Sequence, residues 1–303
     1  MASDITVHGR VDDDDRQTTP ALERALRVFS TVDTTCTRFV PTSPLMVMNA
    51  RPDRWHRVPE TLFRAVVEAH LSYQRTHGRF DPRVLQDLLR LGYDGNLAFG
   101  GVETVTPFRS GVRRPLGPWR PRFRGGPHPE LHLGGIPIEL GGIGKGLAVR
   151  WASELLKTER DSFLIEAGGD CAAVGVGPDG GGWRVGVEHP GSASDPLAVV
   201  ELVDAACATS STRIRHWRSG DADVHHLIDP RSGASGGQGL LSVTVVADDP
   251  ADAEVTSKTL FLEGRKDIAA EARRRNIAAL WVDTEGRVAE SPRLAPHVIW
   301  RAA

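Results

Sequence analysis

Cysteine is scarce in this 303-residue chain, and the three present, Cys36, Cys171 and Cys207, stand far apart with no C-x-x-C pair. Their spacing indicates neither a zinc knuckle nor a disulfide framework, and a reducing compartment is the simplest expectation. An excess of one charge is missing too: 37 basic against 39 acidic side chains leave a net charge of −2. That balance argues against a nucleic-acid or polyanion binder, so the arginines clustered between Arg109 and Arg124 read as a solvated loop. No apolar run approaches membrane-spanning length, and the acidic stretch before Arg16 has no apolar segment of the signal-peptide kind. As given, the chain is expected in the cytoplasm without a lipid anchor, a start upstream of Met1 being left open. Repeats of fixed period are absent. With 40% apolar residues, a chain of this length can bury a large core in one domain or two intimately joined ones.

The apolar periods place the elements. Short alternation marks a strand at Ile5–Val7, and Val11–Arg16 reads as an exposed acidic turn. Leu22, Leu26 and Phe29 recur at helical spacing between Pro20 and Val32, with Thr18 or Thr19 as cap. An irregular stretch from Asp33 to Asn49 precedes a helix over Pro59–Thr76, and another helix follows Pro82 and stops at Gly92. The region 100–130, rich in Gly, Pro and Arg, predicts loops with one or two short strands. Ile136, Ile138 and Leu140 alternate as a strand, and a helical pattern runs from Leu147 to Leu156. Strands at Phe163–Ile165, Cys171–Val176, Trp183–Val187 and Ala198–Val203 read as a meander, and Leu241–Val246 as a further strand. Helices from Pro250 to Gly264 and from Asp267 to Arg275, then a strand at Ala278–Val282, complete an α+β chain with a mainly antiparallel sheet.

The most informative stretch is Glu139-Leu-Gly-Gly-Ile-Gly-Lys-Gly146, with four glycines in six positions. A strand, a glycine-rich turn and a helix start in that order present unpaired N–H groups and roughly half a positive charge to an anion. Lys145 strengthens the effect. Gly146 stands where a Walker A loop requires Ser or Thr, and G-x-G-x-x-G does not fit, so a tight strand-to-helix connection is the plain alternative.

Ser210, His226 and Asp229 invite a hydrolase triad, but the elbow G-x-S-x-G is missing and His226 lies too near Asp229 in sequence. The hydroxyl-rich segment Cys207–Thr212 can equally bond its own backbone, with His226 structural. Glu254 and Lys258, four apart, fit an ordinary helix-surface ion pair. Carboxylate plus hydroxyl suits Mg²⁺; carboxylate plus ammonium does not.

Taken in order, Gly78-Arg-Phe-Asp-Pro82, the 139–146 stretch, Ala167-Gly-Gly-Asp170, Trp183-Arg-Val-Gly-Val187, Ala208-Thr-Ser210, His226-Leu-Ile-Asp-Pro-Arg-Ser-Gly233 and Ser242-Val-Thr-Val245 resemble the FAD:protein FMN transferase (ApbE) family. The resemblance covers nearly the whole chain, 1–303, as one FAD-binding unit or two intimately joined subdomains, with 100–130 as a loop-rich insertion. It implies a T-fold-like α+β protein that uses FAD and Mg²⁺, places FMN on a Thr or Ser hydroxyl of an acceptor protein, and releases AMP. Residue by residue, it implies that Phe39, Arg79, Phe80, Asp81, Glu139, Lys145, Asp170, Thr209, Ser210 and Ile228 contact the cofactor. His226 would be the base, Lys145 its catalytic companion at the glycine turn, and Gly142, through its carbonyl, with Glu254 would hold the metal. The chain departs from the family at 258, where Lys258 replaces a second metal ligand, and at Met1-Ala-Ser3, where the family has Met-Gly-Thr. The first departure leaves an FAD binder or an FAD pyrophosphatase as alternatives to transfer.

Overall fold

The computed structural model describes residues 4–9, 20–95, 117–191 and 195–302, and the backbone of 104–105. The expected cap at Thr18 or Thr19, the acidic turn, Met1-Ala-Ser3 and part of the Arg109–Arg124 cluster lie outside the described residues. Contacts divide the chain into two compact units, one of 1–30, 145–213 and 238–303, the other of 31–144 and 214–237. The described helices are α1 (Pro20–Cys36), α2 (Pro44–Asn49), α3 (Glu60–Arg75), α4 (Leu85–Arg90), α5 (Gly144–Leu156), α6 (Pro250–Leu262) and α7 (Gly264–Arg274). Among the described residues no helix is long and apolar enough to cross a membrane.

The first unit is built on a seven-stranded sheet in the order Ile5–Gly9, Phe163–Ala167, Asp170–Val174, Ala205–Ser211, Leu240–Ala247, Ala278–Asp283 and Val288–Glu290. Every neighbouring pair is antiparallel. Because side chains alternate across a strand, Cys207 and its register partner Cys171 face a core of Trp183, Leu197, Val200 and Leu202. These come from a smaller sheet of Trp183–Glu188, Pro196–Leu202 and Val298–Arg301. Asp170, Ala172, Ala206, Ala208 and Ser210 therefore point to the other face, where α6 packs on Ala205–Ser211 and Leu240–Ala247. Most of α6 is buried, from Ala253, Glu254 and Val255 to Leu260 and Phe261, with Asp252, Thr256 and Lys258 partly exposed. A helix covered over most of its circumference shows no clear apolar stripe, and its ends are legible instead: Asp249 caps it, accepting from the Asp252 N–H at 2.9 Å, and Gly264 takes φ +71°. This is an α+β architecture around a large antiparallel sheet, as the sequence predicts.

The second unit combines α2, α3 and α4 with short sheets. His56–Arg57, Glu130–His132 and Arg122–Arg124 form one, and the His216–Ser219 and Ala222–His225 hairpin belongs to another. Leu88, Tyr93, Trp217, Val224 and Ile228 make its local core.

Several expectations need correction: the hydroxyl-rich Cys207–Thr212 segment belongs to a strand paired on both sides rather than to a turn bonding its own backbone, and Trp183–Val187 with Ala198–Val203 leave the expected meander for the smaller sheet. Residues 136–140 form no strand, because a side chain replaces the neighbouring strand: Asn49 donates to the Ile138 carbonyl at 2.8 Å and accepts its N–H at 2.9 Å. The backbone is satisfied without a ladder. Likewise 33–49 is not irregular throughout. Ala25, Phe29, Val32 and Cys36 continue one buried stripe, carrying α1 to Cys36, and Ser43 caps α2 by accepting from the Met46 N–H, with Pro44 in the first turn.

Candidate functional site

In the first unit, four charged side chains gather where α5 and α6 begin. Lys145, in the first turn of α5, pairs with Asp170, which opens its strand directly after Gly168 and Gly169, both at positive φ. One turn into α6, Glu254 accepts the Gly146 N–H at 2.8 Å on one oxygen and Lys258 Nζ at 3.1 Å on the other. Gly146 makes this approach possible, since a Cβ there would lie 2.5 Å from the Pro250 carbonyl oxygen and 2.6 Å from Ala251 Cα. The carboxylate thus satisfies one of the α5 donors that has no intrahelical partner.

Both acids keep 1% of their side-chain exposure and both lysines 19%, so the carboxylates are buried and the lysine side chains stay partly exposed. Burial pushes the Asp170 carboxyl above its ordinary range despite Lys145. Burial acts on Glu254 in the same sense, but Lys258, Lys145 and the Gly146 N–H outweigh it and hold the group ionised.

The structure separates Thr209 from Ser210. Ser210 shares a 2.8 Å hydrogen bond with Ser257 of α6, on the face that also carries Asp170. Thr209 is exposed on the opposite face, hydroxyl to hydroxyl with Thr244 at 2.9 Å. Ser257, beside Lys258, is a neighbour that sequence reasoning does not single out.

The second unit holds the remaining sequence-derived residues. Arg79 is buried and paired with Asp229 at 2.8 Å. Asp81 caps the turn at Pro82–Val84 and is clasped by Arg83, whose Nε and Nη2 reach its two oxygens at 3.0 and 2.7 Å. Phe80 and Ile228 are buried. Glu139 accepts the Gly141 N–H at 3.0 Å, and Gly142 follows in the turn leading to α5. His226 Nδ1 lies 3.3 Å from the Arg215 carbonyl; in the tautomer that donates there, Nε2 carries the lone pair. Its neighbour His225 differs, burial pushing its imidazole down to about 4. Phe39 is exposed beside Arg38, whose guanidinium lies 4.2 Å from the centres of both the Phe39 and Tyr93 rings. Arg38 donates to the Tyr93 carbonyl at 2.7 Å, while its Nη2 is buried without a hydrogen-bond partner. Sequence reasoning missed Arg38 and Tyr93.

Whether these donors fit Mg²⁺ is decided at Glu254. Mg²⁺ demands a near-octahedral shell of oxygen ligands. Each Glu254 oxygen already accepts a hydrogen bond, the side chain one turn on is an ammonium, and among the described residues no three His, Cys, Asp or Glu side chains gather as a metal site. The residues at this position do not fit the ion.

A large antiparallel sheet backed by helices, with a glycine turn feeding a lysine-bearing helix start, defines an α+β protein with a buried carboxylate held at that helix terminus. The ApbE family model matches residues 1–281, and the chain belongs to the ApbE family. It is 26% identical over 159 residues to the FAD:protein FMN transferase of Salmonella typhimurium, covering 52% of this chain and 45% of that protein. It is 28% identical over 186 residues to the one from Treponema pallidum, covering 57% and 51%. The matched part spans about half the length of these curated relatives. The fold is shared with the ApbE protein of Thermotoga maritima, at a TM-score of 0.78 and 23% identity over 97% of this chain and 94% of that one. The flavinyl transferase ApbE of Pseudomonas stutzeri gives 0.77 and 20% over 99% and 98%.

Proposed function

We propose that this protein transfers FMN from FAD to a Thr or Ser hydroxyl of an acceptor protein and releases AMP. The observation that carries the reading is the ApbE match over residues 1–281, with relatives named FAD:protein FMN transferase. In the step, the acceptor oxygen bonds to the phosphorus on the FMN side. The bond from that phosphorus to the bridging oxygen breaks, AMP leaves with the oxygen, and the hydroxyl proton passes to a base. His226 is the proposed base, through Nε2, with the Arg215 carbonyl fixing its ring. Lys145 and the N–H groups opening α5 are proposed to meet phosphate charge, with Asp170 and Ser210 positioning that end.

Phe39 is proposed to cover an aromatic ring of the nucleotide, with Glu139 and Ile228 as further contacts. Arg79, Phe80 and Asp81 serve as the frame, since the two charged members are committed to Asp229 and Arg83. Mg²⁺ dependence is what the resemblance implies; the donors around Glu254 do not supply it.

Incubation with FAD and candidate acceptor domains is expected to give a fluorescent, covalently flavinylated band together with AMP. His226→Ala should lower transfer by about 10²-fold or more while leaving the FAD-induced rise in Tm unchanged. AMP without any band would favour hydrolysis of FAD, and bound FAD with neither product would favour a binding protein; both overturn the transfer reading.

A further inference from the structure

We infer that Lys258 is a tethered replacement for a divalent cation on Glu254, so that this protein engages the pyrophosphate of FAD without Mg²⁺. The inference rests on the proposed function only for the identity of the nucleotide. Its physical basis is the chain's own ion balance. Glu254, 1% exposed, would be an uncompensated buried charge without a cation, and the cation it holds is the ammonium one helical turn away at 3.1 Å. Its second oxygen is occupied by the Gly146 N–H. Asp170, the other buried acid, is likewise held by Lys145. Two ammoniums therefore balance two carboxylates. A doubly charged ion entering this group would lie against two like charges, one of them the ammonium already held by Glu254.

An ammonium also retains part of what a metal supplies to a phosphate. It is a compact charge with three N–H donors, enough to hold Glu254 and to donate to a phosphate oxygen. Lys258 and Lys145 are the members of the group that stay partly exposed, beside the start of α5, whose dipole favours the same anion. Being covalently attached, this cation is present whatever the free Mg²⁺ concentration.

The test begins with calorimetric titration of the full chain with MgCl₂, alone and saturated with FAD. Wild-type protein is expected to give no binding heat in either state, and a binding isotherm would overturn the inference. The FAD-induced Tm shift and AMP release are then measured in MgCl₂ and in EDTA, where agreement within about twofold in apparent affinity supports it. A loss of about tenfold or more in EDTA overturns it. Lys258→Thr combined with Glu254→Asp should acquire Mg²⁺ binding, and Lys258→Arg should stay independent of the ion. Should the double variant fail to fold, the wild-type titration alone still decides. Failure of the transfer reading is separately visible: no AMP under any condition, with an FAD shift indifferent to Mg²⁺, removes the activity and leaves Lys258 in this role.

Discussion

In the second unit the Arg83 guanidinium closes on Asp81 through two hydrogen bonds, and the two side chains keep 3% and 4% of their exposure. In the first unit Lys145 and Lys258 each touch a buried carboxylate while keeping 19%. The chemistry of the cations explains the contrast. A planar guanidinium matches a carboxylate edge to edge, and Arg83 gives its remaining Nη1 to the Gly117 carbonyl, whereas an ammonium is a point charge on a flexible stem that stays partly exposed. The closed pair fixes the chain at Gly78–Pro82; the open pairs hold charge where a ligand can meet it. Asp170 and Glu254 are more deeply buried than the lysines they hold, so this charge is positioned from below.

Opening the closed pair should produce the largest effect. Arg83→Met leaves Asp81 buried with its backbone bond to the Arg83 N–H alone and is expected to cost roughly 3–5 kcal/mol in urea unfolding. Adding Asp81→Leu should restore much of that loss, because two apolar groups leave no unpaired charge. A single variant as stable as wild type would mean that water reaches Asp81 and that the pair is not closed.

A second test sharpens the contrast within the histidine segment. Burial holds the His225 imidazole near 4 against an ordinary 6.5, so between those values the unfolded chain binds a proton that the folded chain refuses. Stability should fall as pH drops through that window, by about 3 kcal/mol in total, and be flat in this respect above it. His225→Gln should remove the slope; an unchanged slope would place the titration elsewhere.

The same contrast governs what could be read before the structure. The strands at Phe163–Ala167, Asp170–Val174, Leu240–Ala247 and Ala278–Asp283 are legible as short apolar runs between turn residues, and α6 because Pro250 and Gly264 mark its ends; the central strand Ala205–Ser211 is not, because its small and hydroxyl side chains read equally well as a turn. The Ile136–Leu140 segment alternates just as well, yet its partner is the Asn49 side chain, 89 residues away, and no local period reports that. At the site, Glu254 and Lys258 were visible as an i,i+4 pair. That Glu254 also holds the Gly146 N–H, and Lys145 holds Asp170, depends on how α5 meets α6 and the sheet. Arg38 escaped notice because its second ring and its carbonyl acceptor come from Tyr93, 55 residues on. Thr209 and Ser210 are adjacent in sequence and opposite in space, as any two consecutive strand residues are.

The smallest effect is expected from the open side. Lys258→Met deprives Glu254 of its ammonium but leaves the Gly146 N–H and the nearby Lys145, and Lys258 is itself partly solvated, so about 1–2 kcal/mol at pH 7 is expected, below the usual cost of breaking a fully buried pair. The sign with pH separates an electrostatic role from mere packing of the lysine stem. Glu254 is held below its ordinary 4.5, mainly by Lys258 acting against burial; that stabilisation is present above 4.5 and is lost as pH falls through the lower folded value. Asp170, pushed upward by burial, has the opposite slope in both proteins, with Lys258 the lesser of the two lysines that hold it down. The gap between wild type and variant in urea unfolding should therefore close from pH 7 towards pH 3. A gap that stays constant would reduce Lys258 to a packing residue and leave Glu254 to find its charge partner in Lys145.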